Sequence, residues 1–370
     1  MRITQVEAVP FCIPYGKRLS WATGSADGAD HVLVILRTSE GITGCAEAIP
    51  RPTIYGESQA SIVHAINTWF APLLMGAHPF SAGAIEREMN KIYGNFTAKA
   101  AINMALFDIQ AKSCGQPLYR YLGGEYPDGG LKLTWMVHLD EPSRMVAQVQ
   151  EKFAEGYRCF KLKGGIDPAG DVRLVQMIRE AVGAEAELYV DANQGYTVTD
   201  AGQILDQLFE LGVRIVEEPL PVRQINRRQL QQKFARRSNI CVLGDDSVYT
   251  PADVLRELEQ GTIDMVSLKP ARSGVSDSRK IVAIADLYGA PVLIGTQGES
   301  AIGTLHAAHI AAGLNVLKHP AELAFFTVLH EQLVTELPQV RQGKLHIPRH
   351  LPGSGIEIDD RQLSRFRVDR

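Results

Sequence analysis

The stretch from Tyr157 to Asn193 constrains the fold most strongly, because it has the pattern of a strand, a helix and a second strand. The predicted helix, Asp167 to Gly183, carries Leu174, Ile178 and Val182 at four-residue spacing, so one apolar face can cover a sheet. In parallel α/β architectures, side chains at the carboxyl ends of the strands converge at one edge. The stretch therefore predicts a βαβ unit with any active site at that edge.

Two kinds of reactive side chain lie at the ends of these strands. The first strand delivers Lys161 and Lys163, and the second delivers Asp191 and Asn193. Lysines that extend to solvent and an aspartate that caps a helix would explain this unit equally well without any site. A catalytic interpretation therefore depends on what the other strands carry at their ends.

Length, charge and cysteine content exclude several classes of protein. A chain of 370 residues is too long for one compact core, so about two domains are expected. The net charge of −4 provides no basic surface for nucleic acid or an anionic membrane, and a small-molecule partner is expected instead. The 5 cysteines include no CxxC pair, which favours a reducing cytoplasm over disulfides or zinc. No export signal and no long apolar run is visible, so we expect a cytoplasmic protein that spans no membrane.

The first 125 residues predict an α+β domain. An antiparallel meander occupies the first fifty residues, and helices are predicted over Glu57–Leu74 and from about Ala98 to Ser113. Small residues in the second helix indicate close packing. Two segments punctuated by Gly or Pro, Gly16–Gly28 and Pro50–Gly56, lack periodicity and are predicted to be loops.

Beyond about residue 126, strands and helices alternate, which predicts an α/β fold with a (β/α) barrel of the TIM type. The residues from 322 to 370 have a strand- and loop-like pattern, and we expect them to pack back on the first domain. The predicted domains are therefore residues 1–125, 126–321 and 322–370. The predicted barrel strands are Leu131–Val137, Cys159–Lys163, Leu188–Asp191, Arg214–Glu217, Ile240–Gly244, Met265–Lys269, Val292–Gly295 and Val316–His319.

Charged residues recur at the ends of consecutive predicted strands. After the lysine pair and Asp191 come Glu217, Asp245 and Lys269. Three carboxylates on neighbouring strands suit an octahedral hard cation such as Mg²⁺ better than zinc, which prefers nitrogen and sulfur ligands. The strand ends therefore predict a magnesium-type site.

Lysines on both sides of such a cation could act as general acid and base. A divalent cation and a neighbouring ammonium lower the pKa of a lysine toward neutrality, and Lys161 would do this to Lys163. Removing a proton next to a carboxyl group produces an enolate whose growing charge needs a cation. The predicted substrate is therefore a small-molecule carboxylate.

These motifs identify a resemblance to a known family. Lys161-Leu-Lys163, Asp191-Ala-Asn193, Glu217-Glu-Pro219, Gly244-Asp-Asp-Ser247 and Lys269 resemble those of the enolase superfamily, and in particular its muconate lactonizing enzyme (muconate cycloisomerase) group. The resemblance spans nearly the whole chain. It implies a modified barrel with an α+β capping domain built from the N-terminal segment and the C-terminal tail, and it implies bound Mg²⁺ or Mn²⁺. We also expect a homo-oligomer.

The resemblance assigns roles to individual residues. Asp191, Glu217 and Asp245 match the family's metal ligands, and Lys163 and Lys269 match its two acid/base lysines. Lys161 matches the lysine that assists them, and Glu322 resembles the glutamate of the eighth strand. The capping-domain loops around Trp21 and Tyr55 match those that select the substrate, and Asn193 and Gln297 are further candidates for substrate binding.

The sequence departs from the family pattern at several places. A basic, polar run from Arg223 to Arg237 makes the fifth-strand register ambiguous, so Asp246 is a rival to Asp245 as ligand. The residues after Lys269 differ from the usual asparagine and paired glycines. His306 and His309 have no metal-binding context, and we expect them on a helix surface.

Several activities use the same residues. The mandelate racemase branch places a histidine where this chain has Gly295-Thr296-Gln297, and dipeptide epimerases have an Asp-x-Asp that His319-Pro-Ala-Glu322 lacks. The sequence therefore favours cycloisomerisation of cis,cis-muconate to muconolactone. N-acylamino acid racemase and o-succinylbenzoate synthase activities stay open, as does an inactive metal-binding scaffold.

Overall fold

The computed structural model describes residues 1–21, 24–224 and 226–369. Its N-terminal layer is an antiparallel sheet in the order β1-β2-β3, formed by Ile3–Trp21, Gly24–Thr38 and Thr43–Ala48. The predicted loop Gly16–Gly28 is wrong, because β1 and β2 continue through it as a long hairpin in which Leu19 faces Ala26. The register of the pairing shifts after Pro14, and the backbone hydrogen bonds then continue. The sequence of this part lacks the apolar alternation that marks a buried strand, so it did not predict the hairpin.

Helices cover one face of this sheet. The longest, α4 (Phe96–Ser113), contains several Ala residues and is buried along most of its length. A side chain at Gly44 of β3 would collide with the backbone of Ala105, so the glycine allows helix and sheet to approach closely. The close packing predicted from small residues is therefore confirmed. The helices of this layer are α1 (Gln59–Ala65), α2 (Ala71–Leu74), α3 (Ala82–Met89), α4 (Phe96–Ser113) and α5 (Leu118–Tyr121), with a π-helical turn at Ile66–Phe70 and a 3₁₀ turn at Pro79–Ser81.

A curled parallel sheet follows, with seven strands among the described residues. Its strands lie in sequence order and alternate with helices, which confirms the predicted α/β barrel architecture with a capping domain. The strands are β5 (Thr134–Val137), β6 (Cys159–Lys163), β7 (Glu187–Asp191), β8 (Ile215–Glu217), β9 (Cys241–Gly244), β10 (Met265–Leu268) and β11 (Val292–Ile294), and a short β4 (Leu131–Lys132) precedes them. The helices are α6 (Pro142–Ala154), α7 (Pro168–Val182), α8 (Val198–Glu210), α9 (Arg227–Ser238), α10 (Pro251–Glu259), α11 (Pro270–Tyr288) and α12 (Ala301–Gly313).

The eighth strand predicted at Val316–His319 is wrong, since those residues lie outside the strands. The following residues close the sheet instead. Ala321 exchanges backbone hydrogen bonds with the segment that leads into β5, and the Glu322 N–H donates to Ile294 O of β11 at 2.8 Å. Val316 is buried in the core and Leu317 packs against it without strand pairing, which is why this segment resembled a strand.

Helix α12 is enclosed on all sides, so the surface position predicted for its two histidines is wrong. His306 and His309 are both fully buried. The Nε2 atom of His306 lies 2.8 Å from Cys45 O of β3, and the Nδ1 atom of His309 accepts a hydrogen bond from the Tyr119 N–H at 3.1 Å. The helix has no polar face because it packs between the capping layer and the barrel.

The C-terminal segment contacts both layers. It contains a 3₁₀ turn at Phe325–Val328, a hairpin of β12 (Gln339–Arg341) and β13 (Lys344–His346), and α13 (Asp360–Phe366). Strand β13 pairs with β4, and the Val368 N–H donates to Pro10 O at 3.0 Å. The domain limits given above stay predictions.

Within the described part of the chain, no single helix is long and apolar enough to cross a membrane. The bent pair Gln59–Leu74 and Pro79–Met89 meets the requirement only when the two are taken together.

Candidate active site

Neighbouring strands place the predicted site residues side by side at the carboxyl edge of the parallel sheet. Lys163 faces Asp191 in the register of β6 and β7, and Asp191 faces Glu217 in that of β7 and β8. Asp245 directly follows β9, and Lys269 directly follows β10. The structure therefore brings together the six side chains expected from the strand ends.

Lys161 lies at the centre of this cluster and is almost completely buried. Its Nζ atom is 3.0 Å from Asp191 Oδ2, 2.7 Å from Glu217 Oε2 and 3.0 Å from Glu322 Oε1. Burial alone would lower the pKa of this ammonium, but the three carboxylates outweigh burial and raise the pKa well above its usual value. Lys161 is therefore a fixed positive charge that holds the acids together.

The two outer lysines each contact one aspartate on opposite sides of the site. Lys163 Nζ lies 2.6 Å from Asp191 Oδ2 and donates to Asn193 Oδ1 at 3.2 Å. Lys269 Nζ lies 2.6 Å from Asp245 Oδ2. Burial lowers the pKa of Lys269, but Asp245 outweighs burial and raises it. The lowered pKa expected of an acid/base lysine depends on a bound divalent cation and stays a prediction.

The three candidate metal ligands differ in their electrostatics. Burial would raise the pKa of Asp191 and of Asp245, but nearby lysines hold both well below their usual range. Burial and the neighbouring charge of Asp191 raise the pKa of Glu217 well above its usual value. Crowded acids of this kind are stabilised by additional positive charge.

The donor set fits a hard divalent cation. Asp191, Glu217 and Asp245 offer only oxygen, and Glu217 Oε2 is a buried atom that accepts no hydrogen bond in good geometry although Lys161 Nζ is 2.7 Å away. Among the described residues, no three acidic, histidine or cysteine side chains are arranged around a common ligand position, because lysine ammonium groups lie between the carboxylates. The oxygen-only composition of the site therefore fits Mg²⁺ or Mn²⁺.

The fifth-strand register distinguishes Asp245 from its neighbour. Asp245 Oδ1 accepts a hydrogen bond from Arg272 Nη1 at 3.1 Å, whereas Asp246 Oδ2 accepts one from Gln194 Nε2 at 2.7 Å. Burial and the charge of Asp245 raise the pKa of Asp246 to about 6. Asp245 is therefore the better placed of the two as a ligand.

The basic run from Arg223 to Arg237, after β8, supports the loop that carries Asp245. Arg227, at the start of α9, is buried and lies 2.8 Å from Glu218 Oε2 and 3.0 Å from Glu257 Oε2. Glu218 Oε1 accepts the backbone N–H groups of Asp245 and Ser247, both at 2.9 Å. The run thus includes an arginine that fixes the backbone of the candidate ligand.

Side chains from outside the parallel strands complete the site. The Tyr55 hydroxyl contacts Gln297 Nε2 and accepts a hydrogen bond from Arg272 Nη1 at 3.4 Å. Arg272 was not predicted from the sequence, although its position three residues after Lys269, at the start of α11, was an available signal. The side chain of Trp21 lies outside the described residues.

Glu322 joins the cluster from the segment that closes the sheet. Its Oε1 atom accepts a hydrogen bond from the Tyr189 hydroxyl at 2.6 Å and lies 3.0 Å from Lys161 Nζ. Glu322 therefore belongs to the cluster, on a segment that lies outside the strands.

A cleft opens above these residues between barrel and capping layer. Its volume is about 760 Å³ with its open mouth included. Arg51, Tyr15 and Phe325 line it from the outer side, and none of the three was predicted from the sequence. On the barrel side it is lined by Lys163, Asn193, Asp245, Asp246, Lys269, Thr296 and Gln297.

Two family models match the chain. The N-terminal domain model of mandelate racemase / muconate lactonizing enzyme matches residues 7–123, and the enolase C-terminal domain-like model matches residues 144–362. The chain belongs to the mandelate racemase/muconate lactonizing enzyme family of the enolase superfamily. It is therefore an enzyme of this superfamily, whose members include cycloisomerases, epimerases and racemases.

Similar proteins within the family have different activities. Muconate cycloisomerase 1 of Pseudomonas putida is 33% identical over 341 residues, which cover 90% of each chain. L-Ala-D/L-Glu epimerase of Bacillus subtilis is 32% identical over 319 residues, which cover 84% of this chain and 85% of the epimerase. A muconate lactonizing enzyme from Mycobacterium smegmatis, solved with muconolactone, superposes with a TM-score of 0.94 at 35% identity over 100% of both chains. Identity alone does not separate these substrates.

Proposed function

We propose that this family member is a metal-dependent cycloisomerase that converts cis,cis-muconate to muconolactone. The observation that carries the proposal is the pair of lysines on opposite sides of the site, each 2.6 Å from a different aspartate. This arrangement provides one ammonium on each face of a substrate bound between β6 and β10. The relatives named above include enzymes of this activity.

Mg²⁺ or Mn²⁺ would be held by Asp191, Glu217 and Asp245. When bound, such an ion stabilises the negative charge that develops on a substrate carboxylate. Asn193 and Gln297 are proposed to bind the substrate from the barrel side, together with Tyr55 and Trp21 from the capping side. Lys161 and Glu322 are proposed to hold the metal ligands and the two outer lysines in position.

The covalent step requires one proton from the protein. An oxygen of one muconate carboxylate bonds to the alkene carbon that closes the five-membered ring, and the electron pair of that alkene moves toward the other carboxylate. Lys163 or Lys269 then donates a proton to the carbon next to that carboxylate, which completes the lactone. The second lysine remains charged and stabilises the anionic species electrostatically.

A racemase acting on N-acylamino acids is the second candidate. Both lysines are equally close to an aspartate, and a racemase needs both, one to remove the α-proton and one to return it. An N-succinyl-L-Arg/Lys racemase is among the similar proteins. The o-succinylbenzoate synthase reaction would use the same lysines.

We propose that the enzyme works in the cytoplasm, in the breakdown of aromatic compounds, as a homo-oligomer. The buried thiols of Cys45 and Cys159 suit a reducing compartment. The exposed apolar side chains of Trp69, Met75 and Phe80 provide surface suited to subunit contact.

A panel of substrates tests the activity. The enzyme is assayed with Mg²⁺ or Mn²⁺ on cis,cis-muconate, chloromuconates, N-succinyl amino acids, o-succinylbenzoate precursors and dipeptides, with EDTA as the metal-free control. The proposal predicts loss of the diene absorbance of muconate, abolished by EDTA. Turnover of an N-succinyl amino acid or a dipeptide with none of muconate would refute it.

A further inference from the structure

The cations on the floor of the cleft are already neutralised by acids of the protein. Lysine and arginine nitrogens there lie within 3.1 Å of carboxylate oxygens, in the pairs Lys161–Glu217, Lys163–Asp191, Lys269–Asp245 and Arg272–Asp245. A substrate carboxylate far from the metal ligands therefore has to be recognised elsewhere in the cleft.

Arg51 is a further cation on the capping side of the same cleft. It follows β3 and is half-buried. Its Nη1 donates to Pro50 O at 3.0 Å, and no carboxylate of the described residues lies within 4.0 Å of its guanidinium. Its other four N–H groups make no hydrogen bond with the described residues, in a site where the other cations are paired.

The loop after β11 holds this guanidinium against the cleft. Gly298 has a φ of 86°, and a Cβ added there would lie 2.9 Å from Arg51 Nη2 and 3.2 Å from the Phe325 ring. A larger residue would displace the arginine. Gly298 follows Gln297, so the arginine adjoins the loop already proposed to bind substrate.

Tyr15 provides a second donor beside Arg51. Its ring packs edge-on against Phe325 at 5.7 Å, and its hydroxyl makes no hydrogen bond with the described residues. Burial raises the pKa of Tyr15 to about 12, and the charge of Arg51 partly opposes this. The hydroxyl therefore stays protonated at neutral pH and can donate to an anion.

We propose that Arg51 and Tyr15 form a second anion site, which binds the substrate carboxylate distant from the metal ligands. The inference rests on the proposed function and narrows its substrates to dicarboxylates. Planar guanidinium groups bind carboxylates through charge-assisted hydrogen bonds. If Arg51 holds one oxygen of the distal carboxylate, the other oxygen is free to attack the alkene. The ammonium group of a dipeptide would be repelled at the same position.

Binding of unreactive ligands tests this site without any chemistry. Titration calorimetry on the Mg²⁺-loaded enzyme compares adipate, a saturated six-carbon dicarboxylate, with its monomethyl ester. The wild type should bind adipate about 10- to 100-fold more tightly, the range for a hydrogen bond to a charged group. Arg51→Gln should remove this preference, Tyr15→Phe should reduce it, and Arg51→Lys should keep part of it because the charge remains.

Arg37→Gln is the matched control, since Arg37 is an exposed capping-domain arginine paired with Glu7 at 3.2 Å, and it should retain the full preference. Equal affinity of the wild type for the two ligands overturns the inference without reference to any variant. A preference that survives in Arg51→Gln also overturns it. If the preference for adipate depends on Arg51 but the enzyme does not convert muconate, the anion site is supported and the proposed function is refuted. If the enzyme converts muconate but the preference does not depend on Arg51, the proposed function is supported and the anion site is refuted.

Discussion

Asp245 and Asp246 are adjacent in sequence but have different surroundings. Asp245 contacts Lys269 and Arg272, and its pKa is held low, whereas Asp246 is bound by Gln194 and has its pKa raised to about 6. An ionised carboxylate is the better ligand for a hard cation at neutral pH. The two aspartates therefore test the assignment of the metal site.

We predict that Asp245→Asn lowers Mn²⁺ affinity by more than the roughly 10- to 100-fold typical of residues that support ligands, and abolishes activity. Asp246→Asn, the matched control, should change affinity by less than about 10-fold. Titration of Mn²⁺ monitored by electron paramagnetic resonance measures both. If Asp246→Asn is the variant that loses the metal, the fifth-strand register is misassigned.

Lys163 and Lys269 occupy equivalent positions on opposite sides of the site, but a cycloisomerase needs a proton from only one. Replacing that lysine by Ala should lower kcat by at least about 100-fold, the lower end for a positioned acid or base. Replacing the other lysine by Ala should lower kcat by less. Lys91→Ala, on the surface beside Glu88, should leave kcat unchanged. Steady-state kinetics on muconate measures the difference, and equal losses of kcat from both lysines would contradict a single proton donor.

At the scale of elements, the capping sheet is joined to the barrel through Glu47 of β3. Its carboxylate accepts the N–H of Ser300 at 3.0 Å and of Gly303 at 3.2 Å, at the N-terminus of α12, and it lies 2.6 Å from His31 Nδ1. Burial would raise the pKa of Glu47, but His31 and Ser300 lower it. A buried acid at a helix N-terminus thus links the two layers.

Glu47→Ala should therefore lower the free energy of unfolding by about 3–5 kcal/mol, because it leaves buried donors without their acceptor. Glu7→Ala removes an acid from an exposed pair with Arg37 and should cost at most about 1 kcal/mol. Urea unfolding at pH 7 compares them. A loss from Glu47→Ala no larger than that of the control would show that this contact does not join the layers.

Helix α12 also predicts a pH dependence of stability. Burial, reinforced by His306, lowers the pKa of His309 to about 3, from about 6.5 in the unfolded chain. A lowered folded pKa means that the unfolded chain binds the proton first, so stability is complete above about pH 6.5 and falls as pH drops toward 3.

Between pH 7 and pH 5, protonation of His309 in the unfolded chain should lower the free energy of unfolding by about 2 kcal/mol. The slope is about 1.4 kcal/mol per pH unit below the pKa of the unfolded chain. His309→Gln should remove that part of the pH dependence, whatever its effect at pH 7. The exposed His350→Gln should leave the dependence unchanged. Unfolding free energies measured at both pH values check this, and an unchanged dependence in His309→Gln would contradict it.

At the scale of the whole molecule, periodicity and strand ends predicted the barrel and the positions of its charged residues. Lys163, Asp191 and Glu217 follow directly from the alternation of parallel strands, which depends on local sequence. The role of Arg51 could not be predicted, because its position depends on how the capping layer meets the barrel. The burial of His309 and the closure of the sheet at Ala321 depend in the same way on distant parts of the chain.

The proposed reaction adds a carboxylate to an alkene and delivers one proton to one face of the product. It is tested most directly by incubating the Mg²⁺-loaded enzyme with cis,cis-muconate in D₂O and analysing the product by NMR. We predict muconolactone with a single deuterium, on one face of the carbon next to the carboxylate. Deuterium on both faces, or no lactone together with exchange of the α-proton of an N-succinyl amino acid, would contradict it.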